Sequence, residues 1–309
     1  VTAVHAIGTG LAAGNIRIYG FGPGDNPPYP GIYHANALAV GGTLVAAEML
    51  AAGEATTAFA IAGGLHHAMP MRASGFCVFN DPVIAIMRLV EQGYRVAYVD
   101  IDCHHGDGVQ RGFYDTDAVL TISIHESGEY IFPGTGFTRE SGEDEGRGYS
   151  VNVPLAPFTD DETYLETFDA VVPPLIRAFK PDILFTQLGV DTHFRDPITH
   201  LRLTTQGFAE TVRRLGALAG ETGGRWLATG GGGYDLPAVA RGWTMALAIM
   251  AGFRLPERIP DTYESLPTPS TFADSDTPTI ARLLSRDFRD YARRSVDEIR
   301  DTIFPRHNL

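Results

Sequence analysis

Five short apolar runs limit what this chain can fold into: Ala58–Ala62, Val96–Ile101, Val119–Ile124, Ile183–Leu188 and Trp226–Thr229. Each is rich in β-branched, aromatic or small apolar residues and ends in a loop rich in glycine or histidine, which is strand patterning. Between and around them lie amphipathic stretches with helical spacing: Ala35–Ala52, Pro82–Glu91, Glu162–Phe179, Thr205–Ala219, Pro237–Ala251 and Pro278–Ile303. Helix-start chemistry marks several of these, with Asp81 before Pro82 and Asp235 two residues before Pro237. Strand, helix, strand in alternation predicts an α/β fold with a mainly parallel sheet and helices on both faces. No internal repeat is present. Arg254–Asp276, rich in Pro, Ser and Thr, reads as an extended surface passage rather than a domain boundary, because only one helix follows it.

The bulk composition narrows the class. At 309 residues and 44% hydrophobic, the chain can bury one large core or two ordinary ones. Acidic residues outnumber basic ones 37 to 24, for a formal charge of -13, which excludes the basic face of a nucleic-acid binder. Such a field favours cationic substrates, although solubility alone is the commoner reason for acidity. Two cysteines, Cys77 and Cys103, are too few for a disulfide framework and suit a reducing, cytoplasmic compartment. No run reaches the ~18 apolar residues of a membrane span. Val1–Ala13 has no basic n-region, so no signal peptide is expected.

The polar residues gather just past the strands' C-terminal ends, the edge at which open α/β sheets bind ligands. His66 and His67 follow the first run; Asp100, Asp102, His104 and Asp107 lie at or after the second; Asp191 follows the fourth and Tyr234 the fifth. On a strand, the two-residue spacing of Asp100, Asp102 and His104 sends all three side chains to one side. Asp102 and His104 can then share one ion with Asp191. Two carboxylates and one imidazole with a position left open form a catalytic metal pattern, which suits zinc, with iron(II) or cobalt(II) also fitting. A bare Asp-x-His is more often a cap or an ion pair; the neighbouring constellation reverses that. The adjacent His66 and His67, with Asp100 and Asp107 to spare, suggest two His–Asp dyads able to supply a general base. Gly230–Gly233 before Tyr234 permits close backbone approach, and no Gly-Lys-Ser/Thr follows to make a phosphate loop.

Taken together, GGLHHA (Gly63–Ala68), SGFCVFND (Ser74–Asp81), VDIDCHHGDGVQ (Val99–Gln110), SIHE with FPGTG (Ser123–Glu126, Phe132–Gly136), QLGVDTH (Gln187–His193) and GGGGYD (Gly230–Asp235) resemble the histone deacetylase family, in the family's order. GDNPPYPGIY (Gly24–Tyr33) and FPRHNL (Phe304–Leu309) look most like its prokaryotic acetoin-utilisation branch. The resemblance implies a single three-layer, arginase/deacetylase-like domain over residues 1–309. The family's N-terminal segment, which carries a strand, a helix and a channel arginine, would be missing ahead of Val1.

By position, the resemblance makes Asp102, His104 and Asp191 the zinc ligands. His66 and His67 become the tandem histidines, with Asp100 and Asp107 behind them, and Tyr234 the hydroxyl that polarises a carbonyl. Phe76 and Phe132 would wall an acyl-lysine tunnel, with Gly75 and Gly232 beside it, Ile198 near its rim and Asp25 gripping substrate amides. Structural potassium would use the Asp100, Asp102, His104 and Ile124 carbonyls with the Asp102 carboxylate and Ser123 hydroxyl. A second potassium would use the carbonyls of Phe113, Thr116, Val119 and Tyr149. The implied activity is hydrolysis of an acetyl-lysine amide in protein or peptide, or of a small acylated amine such as an acetylpolyamine. A non-catalytic acyl-lysine binder is a further alternative. A two-manganese ureohydrolase lacks ligands, since Gly106 and His193 stand where a second metal needs carboxylates.

Overall fold

Among the described residues six strands form one sheet, and every neighbouring pair is parallel. In chain order they are β1 (Thr57–Ala60), β2 (Val96–Asp100), β3 (Val119–Glu126), β4 (Ser150–Leu155), β5 (Ile183–Gln187) and β6 (Trp226–Thr229). The helices are α1 (Thr2–Gly8), α2 (Ile32–Ala51), α3 (Asp81–Glu91), α4 (Asp107–Gly112), α5 (Asp161–Phe179), α6 (Thr205–Glu221), α7 (Leu236–Met250) and α8 (Arg282–Thr302). This is a computed structural model, and it describes residues 1–10, 15–260, 269–279 and 282–309.

Side chains alternate across each strand, so the apolar runs feed two cores. Val96 and Tyr98 of β2 join Leu50 of α2, Ile86 and Leu89 of α3 and Val109 of α4 on one face. Ala97 and Val99 join Phe168 and Val172 of α5, Val212 and Leu215 of α6, Ala246 of α7 and Val296 of α8 on the other. Each large side chain buried in this way contributes about 1.5–3 kcal/mol. The expected three-layer α/β arrangement is therefore present.

The sheet order is β1-β6-β5-β2-β3-β4. From β2 the chain winds outward through β3 to β4; from β5 it winds the opposite way to β6. The loops leaving the C-terminal ends of adjacent β2 and β5 therefore diverge and open a crevice, the usual ligand position in such sheets.

Some boundaries differ from the sequence expectation. β4 was not expected: its sequence SVNVPL mixes polar residues with Pro154. As an edge strand it tolerates a residue that cannot donate to a ladder. α1 and α4 have seven and six residues, too few to show a helical period. Of the expected passage Arg254–Asp276, residues 261–268 lie outside the described residues, as do 280–281 of the expected last helix. Cys77 and Cys103 are both free and buried. No described helix is long and apolar enough to cross a membrane.

Candidate active site

Asp102, His104 and Asp191 converge, with one ligand-capable atom from each lying within 4.8 Å of the others. β2 stops at Asp100, so Asp102 and His104 are not on an extended strand. Instead the Asp102 amide donates to Asp100 Oδ1 at 3.1 Å, and the His104 amide donates to Asp102 Oδ1 at 2.9 Å. Each aspartate binds the backbone two residues on, which is turn chemistry, and the turns aim the side chains inward. Asp102 Oδ2 accepts from Gln187 Nε2 and from the Gly232 amide, both at 2.7 Å, and Asp191 Oδ1 accepts from the Cys103 amide at 2.7 Å.

The remaining oxygens, Asp102 Oδ1 and Asp191 Oδ2, both face His104 Nδ1, at 3.2 and 2.8 Å. A single imidazole nitrogen cannot balance two buried carboxylates; a divalent cation bound by two oxygens and one nitrogen can, and the residues fit one. The electrostatics agree. Burial opposes it, but the charges of His66 and His104 hold Asp102 well below the usual carboxylate range. Burial, with the charge of Asp102 added, pushes Asp191 up to about 7. Gly232 is obligatory, because a Cβ there would lie 2.2 Å from Asp191 Oδ2.

The tandem histidines stand on the loop after β1. His66 Nδ1 meets Asp100 Oδ2 at 2.7 Å, His67 Nδ1 meets Asp107 Oδ1 at 2.7 Å, and the two Nε2 atoms are 3.0 Å apart. Both dyads expected from sequence are thus assembled. Their environments split them. Burial pulls His66 down, but the Asp100 and Asp102 carboxylates raise it to about 9. Burial and the charge on His66 lower His67 to about 4, against the pull of Asp107.

Two residues at the start of α3 hold this loop. Asn80 caps the helix through Val83, and its Nδ2 donates to the carbonyls of His66 and Ala68, each at 3.0 Å. Asp81, fully buried, accepts from the Gly64 and Leu65 amides and, at 2.6 Å, from the Thr43 hydroxyl. The sequence marks Asp81 as a helix start; its side chain serves the histidine loop instead, and Asn80 is the cap.

A pocket of about 320 Å³ opens onto His67 and His104. Its walls include Asp25, Gly75, Phe76, Phe132, Ile198 and Tyr234, all expected from sequence, together with Tyr130, Ile131 and His200, which were not. The Phe132 ring packs edge-on against His67 at 5.0 Å, and Phe76 against Tyr234 at 5.9 Å. A Cβ on Gly75 would strike the His67 ring at 2.6 Å. The Tyr234 amide donates to Asp196 Oδ2 at 2.8 Å, while Asp196 Oδ1 accepts from the Ile198 amide at 3.0 Å. One buried carboxylate thus ties the loop of the tyrosine to the pocket rim. Burial and the nearby Asp102 and Asp191 charges push the Tyr234 hydroxyl up, so it stays protonated. A larger cleft of about 950 Å³, bounded by α1, α3 and residues 69–73, contains none of the metal-competent cluster.

Of the residues expected around potassium, Ser123 is the register partner of Asp100, and its hydroxyl lies 2.8 Å from His125 Nδ1. Ile124 follows it on β3. Phe113, Thr116, Val119 and Tyr149 gather at the opposite end of the sheet, where the Tyr149 carbonyl accepts from the Thr121 amide at 2.8 Å. His193 turns away from the cluster to pair with Asp274 at 2.9 Å. Among the described residues the only metal-competent group is Asp102, His104 and Asp191.

Residues 6–250 match the family described as "Histone deacetylase domain". The chain is 44% identical over 265 residues to the acetoin utilization protein AcuC of Bacillus subtilis (strain 168), covering 84% of this chain and 68% of that protein. It is 44% identical over 229 residues to the AcuC of Staphylococcus aureus (strain MRSA252), covering 73% of this chain but only 59% of that protein. Among solved structures, an HDAC homolog from Aquifex aeolicus superimposes with a TM-score of 0.81 at 30% identity, covering 94% of this chain and 83% of the other. An HDAC homolog complexed with SAHA gives the same TM-score and identity, over 94% and 82%.

Proposed function

Because the chain belongs to the histone deacetylase family of hydrolases, we propose that it hydrolyses the amide of acetyl-lysine, in protein or peptide, at the Asp102–His104–Asp191 centre. The observation that carries this reading is the pair of His–Asp dyads beside three residues that could hold a metal ion, with His67 and His104 lining a pocket that also includes Phe76, Phe132 and Tyr234. Two adjacent histidines, each backed by a carboxylate, are what acid and base chemistry requires, and simple binding has no use for them.

A zinc ion held by the three ligands would supply Lewis-acid polarisation of the carbonyl and a more acidic water. The protein groups do the rest. The Tyr234 hydroxyl donates to the carbonyl oxygen as negative charge develops there. His67 Nε2 is the base: its 3.0 Å contact with His66 Nε2 gives way to the attacking water, whose proton it takes and returns to the departing nitrogen. Asp107, on Nδ1, fixes the ring's tautomer and orientation. The water oxygen bonds to the carbonyl carbon, the C–N bond breaks, and a carboxylic acid and an amine leave. The His66 imidazolium, backed by Asp100, adds positive charge beside the oxyanion. Phe76 and Phe132 enclose the substrate's methylene chain. A potassium ion near Ser123 and a cytoplasmic setting, which suits two free buried cysteines, complete the reading.

Since one solved relative is an HDAC homolog complexed with SAHA, the same compound is expected to bind here. The reading is tested by metal analysis of the purified protein and activity on a panel of acyl-lysine peptides and acetylated polyamines. One catalytic divalent ion per chain is expected, with both metal and activity lost in His104→Ala and Asp191→Ala. Two tightly bound metals with urea-forming activity would overturn it.

A further inference from the structure

His200 takes no part in the reaction outlined above, yet it lines the pocket. Its side chain is 50% exposed, and its ring is not free to turn. Nδ1 lies 2.8 Å from Glu126 Oε1, and the His200 amide donates to Glu126 Oε2 at 2.9 Å. Glu126 is fully buried at the end of β3 and has one further donor, the Cys103 thiol at 3.7 Å. No other basic side chain touches it among the described residues. A buried carboxylate has to be paired or hydrogen-bonded to be tolerated, so this contact is a fixed part of the structure rather than a passing surface pair. It consumes Nδ1 and leaves Nε2, on a half-exposed ring that lines the pocket, with no partner among the described residues.

We propose that His200 is a specificity-determining residue: locked on Glu126, it presents Nε2 to the main chain of an acyl-lysine peptide and favours such peptides over acylated free amines. The inference rests on the deacetylase reading. With the acyl group beside His67 and Tyr234, an extended lysine side chain would run its own backbone past the other lining residues, which include Asp25, Ile198 and His200. A peptide carries both N–H and C=O groups there. Asp25 can accept from the first. Nε2 accepts from an N–H when the ring is neutral and donates to a C=O when it is charged, so it is satisfied in either form. An acylated alkylamine such as N-butylacetamide has no polar group at that depth and leaves the fixed polar atom unpaired, which is the strongest form of discrimination.

The test compares kcat and KM of the metal-loaded full chain on an acetyl-lysine peptide and on N-butylacetamide, with calorimetric binding of the peptide to metal-free protein as a second readout. His200→Ala leaves the Glu126 carboxylate unpaired, so the double variant Glu126→Gln/His200→Ala is measured beside it. In whichever variant folds, the peptide KM and the calorimetric Kd should rise roughly 5- to 20-fold, one lost hydrogen bond, with kcat changing far less. The preference for peptide over N-butylacetamide should fall by the same factor, and His200→Gln should restore part of it. An unchanged preference in a folded variant, or a fall confined to kcat, overturns the inference. Wild-type protein that hydrolyses neither substrate overturns the deacetylase reading itself, and this inference with it.

Discussion

Replacing Tyr234 by Phe isolates one oxygen atom. The hydroxyl makes no hydrogen bond among the described residues, and the loop is held through the backbone amide to Asp196, which Phe retains. The edge contact with Phe76 is made by the ring and also survives. With the side chain partly exposed and no buried partner orphaned, stability should change by less than about 0.5 kcal/mol, and Tm by about 2 °C or less. The loss in rate is of another order. A single donor to a developing oxyanion is worth about 2.7–4 kcal/mol, so kcat should fall roughly 10²- to 10³-fold. KM should hardly move, because the bond strengthens as charge develops. Because burial and the neighbouring carboxylates keep this hydroxyl protonated, the deficit should not depend on pH through the neutral range. The assay is steady-state hydrolysis of an acetyl-lysine peptide by wild type and variant at equal metal content, with a thermal melt of each. An unchanged kcat would show that Tyr234 only packs, and a kcat loss that tracks a Tm drop of many degrees would move the residue from the reaction to the fold.

Two further predictions follow from the electrostatics. Burial and the His66 charge lower His67 while the Asp100 and Asp102 carboxylates raise His66, so kcat/KM should be a broad bell whose acid limb lies below the ordinary histidine value and whose basic limb lies above it. Asp107→Asn should lower its plateau roughly 10- to 100-fold, and an acid limb at the ordinary histidine value of about 6.5 would contradict the split. The second concerns Asp274, which burial raises but which His193, the Thr205 amide and Arg241 together hold well below the usual carboxylate range. A carboxylate depressed in the folded state stabilises above its unfolded value, about 3.9, and loses that contribution as pH falls. Urea midpoints should therefore drop below about pH 4. Asp274→Asn should show a shallower drop from a starting stability already reduced by about 3–5 kcal/mol, since it leaves Arg241 buried and half-paired; parallel midpoint curves for the two proteins would refute this.

The parts of the molecule that local spacing encodes were legible. Apolar runs gave five of the six strands, and Asp102, His104 and Asp191 stood out because metal chemistry demands those residue types at strand ends. The dyads could be read because two carboxylates remained after the metal was served. What escaped was long-range or disguised. β4 hides behind Pro154. Glu126 and His200 are 74 residues apart, and Asp196 and Tyr234 are 38 apart, so no spacing rule joins them. Asp81 was masked by a plausible local role, since an acidic residue before proline looks like the start of a helix whether or not its carboxylate caps one.

All six strands run the same way, and this divides the molecule into a working end and a returning end. The returns at Gly93 and Gly224 carry none of the reactive groups, and a Cβ placed on either glycine would meet nothing within 4 Å. They are separated from the metal cluster by the length of a strand, roughly 15 Å for five residues. An affinity tag, fluorophore or surface tether placed on a neighbour of Gly224, which itself keeps a left-handed φ of 69°, would therefore orient every molecule with its pocket facing outward, making this end of the sheet a natural handle for immobilising the protein or joining it to another.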